Sequence, residues 1–89
     1  MPGGWFAASA DDRARQAFAE AVRQRAIRSG VELVLVGVDT LEQQVVAGMN
    51  YRGDLRVRQE TAERRARVSV FRGLDGEVVL RDWEWLSVP

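Results

Sequence analysis

The sequence contains no cysteine, no histidine and no lysine, and it has no apolar run long enough to cross a bilayer as a helix. Without cysteine there is no disulfide framework, no thiol nucleophile and no thiolate metal site, while the redox compartment is left open. Without histidine the usual general base, proton shuttle and zinc ligand are missing. Carboxylates, Ser9, Ser69 and Tyr51 remain, but no set of them supplies a base and a nucleophile together, so no enzyme, metal or cofactor is expected. All thirteen cations are arginine, and they balance thirteen Asp plus Glu to a formal net charge of zero. That balance gives no general attraction to nucleic acid or to an anionic membrane, and neither is expected as a partner. The arginine-only choice reads as coding bias, as in a GC-rich bacterial genome, and carries no mechanism. The start, Met1-Pro2-Gly3-Gly4-Trp5, lacks the positive region and long apolar run of a signal peptide. The expectation is therefore a cytoplasmic chain, or a secreted or periplasmic one if a signal peptide was removed before Met1.

What is present fits one domain over residues 1–89. A domain of this size buries only about 60% of the surface its unfolded chain exposes, so the core is modest. Gly3-Gly4 beside Pro2 predicts an extended lead. Ser9 followed by Asp11 and Asp12 reads as a helix start, with Ser9 as N-cap and the acids at the positive end of the dipole. From Ala10 to about Arg28 the chain is rich in helix formers, and Ala14, Phe18, Ala21 and Val22 fall on one face. Ile27 lies off that stripe, which suggests that the helix ends or bends near Ala26, and Ser29-Gly30 supplies the stop. Strands are predicted over Val31–Val38, Ala47–Gln59, Arg65–Arg72 and Glu77–Val88, from β-branched content and alternation. Gly53-Asp54 interrupts the second of these and predicts a bulge. Gln59 to Arg64 reads as a charged loop, and Gly73-Leu74-Asp75-Gly76 as a short hairpin. The fold class is α+β, one N-terminal helix packed across an antiparallel sheet of four to five strands.

Gln44-Val45-Val46-Ala47-Gly48, followed by Met49-Asn50-Tyr51, resembles the first-hairpin motif of the cystatin superfamily, Gln-x-Val-x-Gly. Two further matches follow the family's order. Pro2-Gly3-Gly4 resembles the glycine-bearing N-terminal trunk. Val70-Phe71-Arg72-Gly73-Leu74 resembles the second hairpin of the stefin subgroup, where Val-Phe-x-x-Leu-Pro replaces the Pro-Trp of other cystatins. The pattern covers nearly the whole chain. Asp75 stands where stefins carry proline, no Pro-Trp occurs, and the helix signature of plant cystatins is absent. The lack of cysteine agrees with the disulfide-free stefins.

The resemblance implies a reversible, tight-binding competitive inhibitor of papain-like cysteine proteases, whose trunk and two hairpins wedge into the active-site cleft. It implies that Gly4 lets the trunk cross the catalytic centre without a side chain in the way, placing Pro2 and Gly3 towards the non-primed subsites. Val45, Val46 and Ala47 would supply small apolar contacts, with Gln44 bracing the loop and Gly48 allowing close approach to the cleft wall. Gly73, Leu74 and Asp75 would form the second contact, with Leu74 as its apolar anchor. Asp75 facing the enzyme would weaken that contact, so Asp75→Pro is expected to tighten binding if the local φ suits proline. The alternative is a cystatin-fold binding or assembly domain, or a scaffold, that inhibits nothing. A monomer is expected, with strain at Val45 and Val46 as the route to a domain-swapped dimer. Trp83 and Trp85 are expected to pack on the sheet, Arg56, Arg58, Arg64 and Arg65 to form a solvated face with Glu60 and Glu63, and Asp11-Asp12 to cap the helix.

Overall fold

Trp5–Ala7 form a short strand, β1, and Ala8 continues it by donating its N–H to the Leu41 carbonyl at 3.1 Å. This is a computed structural model of the chain, and it describes residues 4–86. The following helix, α1 (Asp12–Ser29), starts two residues later than the sequence suggests. Asp11, not Ser9, is the N-cap: its Oδ1 accepts from the Ala14 N–H at 2.8 Å. A carboxylate satisfies that orphan donor and also complements the helix dipole, so it serves the position better than a hydroxyl. The helix does not end near Ala26 but runs on to Ser29, and the stop falls at the expected glycine, with Gly30 in the left-handed region (φ 69°) donating its N–H to the Ala26 carbonyl. Ala14, Ala17, Phe18, Ala21 and Val22 are buried, and three alanines let the helix axis sit close to the sheet.

The remaining strands are β2 (Leu33–Val38), β3 (Glu42–Val46), β4 (Gly48–Gln59), β5 (Ala62–Arg72) and β6 (Val78–Trp85). All pairings are antiparallel, in the order β1-β3-β4-β5-β6, with β2 pairing the far half of β4 beyond β3. The sheet therefore has six strands where four to five are expected from sequence. One extra strand is β1. The other arises because the line running along β4 is broken at Asp39-Thr40-Leu41 into β2 and β3.

The break has a local cause. A side chain at Gly53 would run into the Thr40 carbonyl, so glycine there lets the chain step inward. Asp54 then ties the step down: its carbonyl accepts from Asp39 N–H at 2.8 Å, and its N–H donates to Thr40 Oγ1 at 3.0 Å. The bulge expected at Gly53-Asp54 is absent, since β4 pairs β5 without a register shift from Met49 to Gln59. The register shifts lie instead at Val36 in β2 and Arg81 in β6. Nor is Gln59 to Arg64 a loop. Gln59 pairs with Ala62 across a two-residue turn, with Glu60 at φ 56°, so β5 starts three residues before the predicted Arg65.

Inward positions alternate as the sequence implies: Tyr51, Leu55 and Val57 on β4, and Ala66, Val68 and Val70 on β5. With Phe18 they form the core, and no polar or charged residue among those described is buried in it. Gln24 fixes the C-terminal half of α1 to β6. Its Nε2 donates to the Val78 carbonyl at 2.8 Å and its Oε1 accepts from the Leu80 N–H at 3.0 Å.

Candidate functional site

Cross-strand pairing brings the two hairpins to one end of the sheet. In the first, Val45 pairs with Met49 and Val46 with Gly48, leaving Ala47 alone at the tip. So tight a tip demands unusual backbone, and Gly48 supplies it at φ 118°. A side chain there would also run into the Arg72 carbonyl and come within 3.0 Å of the Phe71 ring. The requirement for glycine thus comes from the chain's own β5. Val45 and Val46 are regular strand residues, and the only non-glycine with positive φ among the described residues is Glu60, so the strain expected at these valines is absent. One level below, Gln44 Oε1 accepts from Asn50 Nδ2 at 2.8 Å, a brace across the base of the hairpin.

The second hairpin is a β-turn from Gly73 to Gly76. Gly76 N–H donates to the Gly73 carbonyl at 3.0 Å, and Gly73 N–H donates to the Glu77 carbonyl at 2.8 Å. Leu74 and Asp75 both have negative φ and Gly76 is left-handed at 87°, the pattern of a type I turn closed by a glycine. The Asp75 carboxylate is folded back into the turn, where Oδ1 accepts from the Glu77 N–H at 2.9 Å. It holds the loop's own backbone, which differs from the outward carboxylate considered from sequence. Leu74 is left at the apex, 85% exposed, beside Val45 at 50% and Val46 at 40%.

The pairing of Met49 with Arg72 sets these tips side by side. Between them lies a groove lined by Arg13, Val45, Met49, Tyr51, Arg72 and Leu74. Tyr51 is its floor, and burial pushes its phenol upward, with Asp11 adding to the shift and Arg72 and Arg13 opposing it. Sequence reasoning missed Arg13, Met49 and Arg72, because only strand register and the seating of α1 bring them here.

The N-terminal segment reaches the same end. Trp5 pairs with Gln44, so the antiparallel register puts Gly4 at the level of Val45. Arg52 stacks on the Trp5 ring at 4.0 Å and pairs with Glu42 at 2.9 Å, which clasps β1 to the sheet. A side chain at Gly4 would meet nothing within 4 Å, so the fold itself places no demand for glycine there. Gly3 lies outside the described residues.

The structure thus gathers Gly4, Val45, Val46, Ala47, Gly48, Gly73, Leu74 and Asp75 at one edge, with Gln44 behind them. The other residues singled out lie elsewhere. Trp83 and Trp85 meet edge to face at 5.1 Å, with Arg25 over the first and Arg64 over the second. Arg56 and Arg65, directly opposite on β4 and β5, share Asp39 at 2.9 and 3.6 Å, and Arg67 pairs with Asp54 at 3.0 Å. Among the described residues no group of acidic side chains could hold a metal, and no helix is long and apolar enough to cross a membrane.

Among solved structures the chain is similar to a salivary cystatin from the soft tick Ornithodoros moubata. The TM-score is 0.80 over 98% of this chain and 100% of that one, at 16% identity. One helix across an antiparallel sheet, with this likeness, is the cystatin-like α+β fold. No protein-family model and no curated protein matches the chain.

Proposed function

We propose that the chain is a reversible, competitive inhibitor of papain-like cysteine proteases, of the stefin-like type, acting through the edge formed by Gly4 and the two hairpins. The observation that carries this reading is the meeting of three separate segments at one end of the sheet, two of which expose aliphatic side chains at their tips. A papain-like cleft is V-shaped, with a reactive thiolate at its floor. A wedge fills it without being cut if it presents tight turns and side-chain-free backbone where a scissile bond would sit. Gly4 leaves the space over the thiolate open, Val45, Val46 and Ala47 fill the centre, and Leu74 enters the far side, with Gly73 and Asp75 holding its turn. Exposed apolar residues at the apex of a charged molecule are surface that gains by burial, roughly 1.5–3 kcal/mol for a leucine. The stefin-like assignment rests on the absence of cysteine and on Val70-Phe71-Arg72-Gly73-Leu74.

The test is a titration of active papain with the protein, followed by intact mass of both. Stoichiometric loss of peptide hydrolysis, with the inhibitor uncut, is expected. Unimpaired hydrolysis at micromolar inhibitor removes the reading and leaves a binding domain on the same fold.

A further inference from the structure

The sheet has three free edges among its described strands, and they are treated differently. The β6 edge is closed by Gln24, whose side-chain amide makes the donor and acceptor contacts a neighbouring strand would make. In the broken row formed by β2 and β3, β1 covers the outer side of β3 only. Among the described residues the outer side of β2 has no strand beside it and no side chain bonded to it. Its sequence, Leu-Val-Leu-Val-Gly-Val, has no proline and no charge, and Val34 and Val36 are exposed at 46% and 39%. The one blunting feature is the bulge at Val36.

Shallow grooves follow this edge along the flank of α1. One is walled by Arg15, Gln16 and Ala19 beside Leu35–Val38, and the next by Ala26 and Ile27 beside Leu33–Leu35. Ile27, 67% exposed, extends the apolar surface. Charge says what fits here. Arg15 sits at the Val38 end and Glu32 at the Leu33 end, and among the described residues neither has a salt-bridge partner, whereas Arg23 beside Glu32 is paired with Glu20.

We propose that the outer edge of β2 is a self-association surface on which a second copy of this chain adds its own β2, antiparallel, about a two-fold axis through Leu35. That register sets Val34 of each copy opposite Val36 of the other, a β-branched cross-strand pair on the exposed face. It also carries Glu32 of each copy to the Val38 end of its partner, where Arg15 stands. Two unpaired opposite charges at the two ends of one edge are self-complementary under this axis, which an arbitrary peptide would not match. A net charge of zero opposes none of this. The hairpin tips lie at the other end of β4, so pairing leaves them open, and the proposal stands whether or not they meet a protease.

Sedimentation velocity of the full chain, from micromolar to near-millimolar concentration, reads the outcome. A dimer that dissociates on dilution is expected, with the Leu33 and Leu35 amides, which face away from β4, gaining exchange protection as concentration rises. Val34→Lys, at an exposed site that leaves the fold intact, should raise the dimer dissociation constant at least about tenfold. Glu32→Arg and Arg15→Glu should each weaken the dimer about tenfold, and the two together should restore it. A chain that stays monomeric throughout overturns the proposal and leaves the edge to a foreign strand. A dimer that survives Val34→Lys and does not dissociate on dilution overturns it in favour of exchanged halves. Failure of the double variant to recover refutes the assigned register.

Discussion

Leu74→Ala isolates the contribution of the second hairpin with little effect on the fold. The side chain is 85% exposed at the apex of the turn, so its truncation opens no cavity and should leave the thermal midpoint unchanged. Three carbons are removed, and at about 0.8 kcal/mol for each buried methylene, with docking covering most but not all of that surface, the loss is about 2 kcal/mol. That corresponds to roughly thirtyfold in the inhibition constant. Asp75→Pro is the companion. From sequence it is expected to tighten binding, but the structure reverses the sign. Asp75 occupies the third position of the turn, where proline would push Leu74 out of its helical φ/ψ, and its carboxylate holds the Glu77 N–H. The variant should therefore weaken inhibition by misplacing Leu74. Inhibition constants of the two variants and the parent against papain, with thermal melts alongside, decide it. If Leu74→Ala inhibits as the parent does, the second hairpin does not dock; if Asp75→Pro tightens, the turn geometry is misassigned.

Gly4→Val should leave the melting temperature unchanged, because the site is open, yet weaken protease inhibition at least about tenfold; equal inhibition by both forms removes Gly4 from the contact. Gly48→Ala should destabilise by about 1–3 kcal/mol, since it combines a left-handed φ with a clash on the Arg72 carbonyl, and urea unfolding measures it. Asp39→Ala leaves Arg56 and Arg65 facing each other with only the longer contacts to Glu63 and Asp54 at 3.8 Å, and should cost about 0.5–1 kcal/mol at low ionic strength, shrinking as salt is added. A dimer formed by exchanging halves after partial denaturation would straighten the hairpin at Ala47, so it should not inhibit; equal inhibition per chain by monomer and dimer contradicts this.

What the sequence made legible was what is encoded locally. The buried stripe of α1 and the alternation of Leu55, Val57, Val68 and Val70 follow from periodicity, and Gly30 from helix-stop chemistry. The cap was displaced because three residues, Ser9, Asp11 and Asp12, can all serve, and the reach of β1 to Leu41 decides among them. Glu60-Thr61 carries no glycine or asparagine, so a tight turn there is invisible until β4 and β5 pair. Gly53 is visible as an oddity, but its reason lies thirteen residues away in sequence, at Thr40. The same division holds at the candidate site: the hairpin residues carry a motif, whereas Arg13 and Arg72 join them only through the seating of α1 and the register of Met49 with Arg72.

The double hydrogen bond of Gln24 joins residues separated in sequence by 54 and 56 positions. During synthesis α1 is complete long before Val78 and Leu80 have been made, so the anchor of its C-terminal half does not yet exist. The helix can form early from its own propensity and lean on β2 and β5, but its C-terminal half is pinned through Gln24 only when the final strand closes. Any ribosome-bound or truncated chain lacking β6 therefore carries an apolar helix face over an unfinished sheet, and holding that face out of trouble is left to chaperones or to speed.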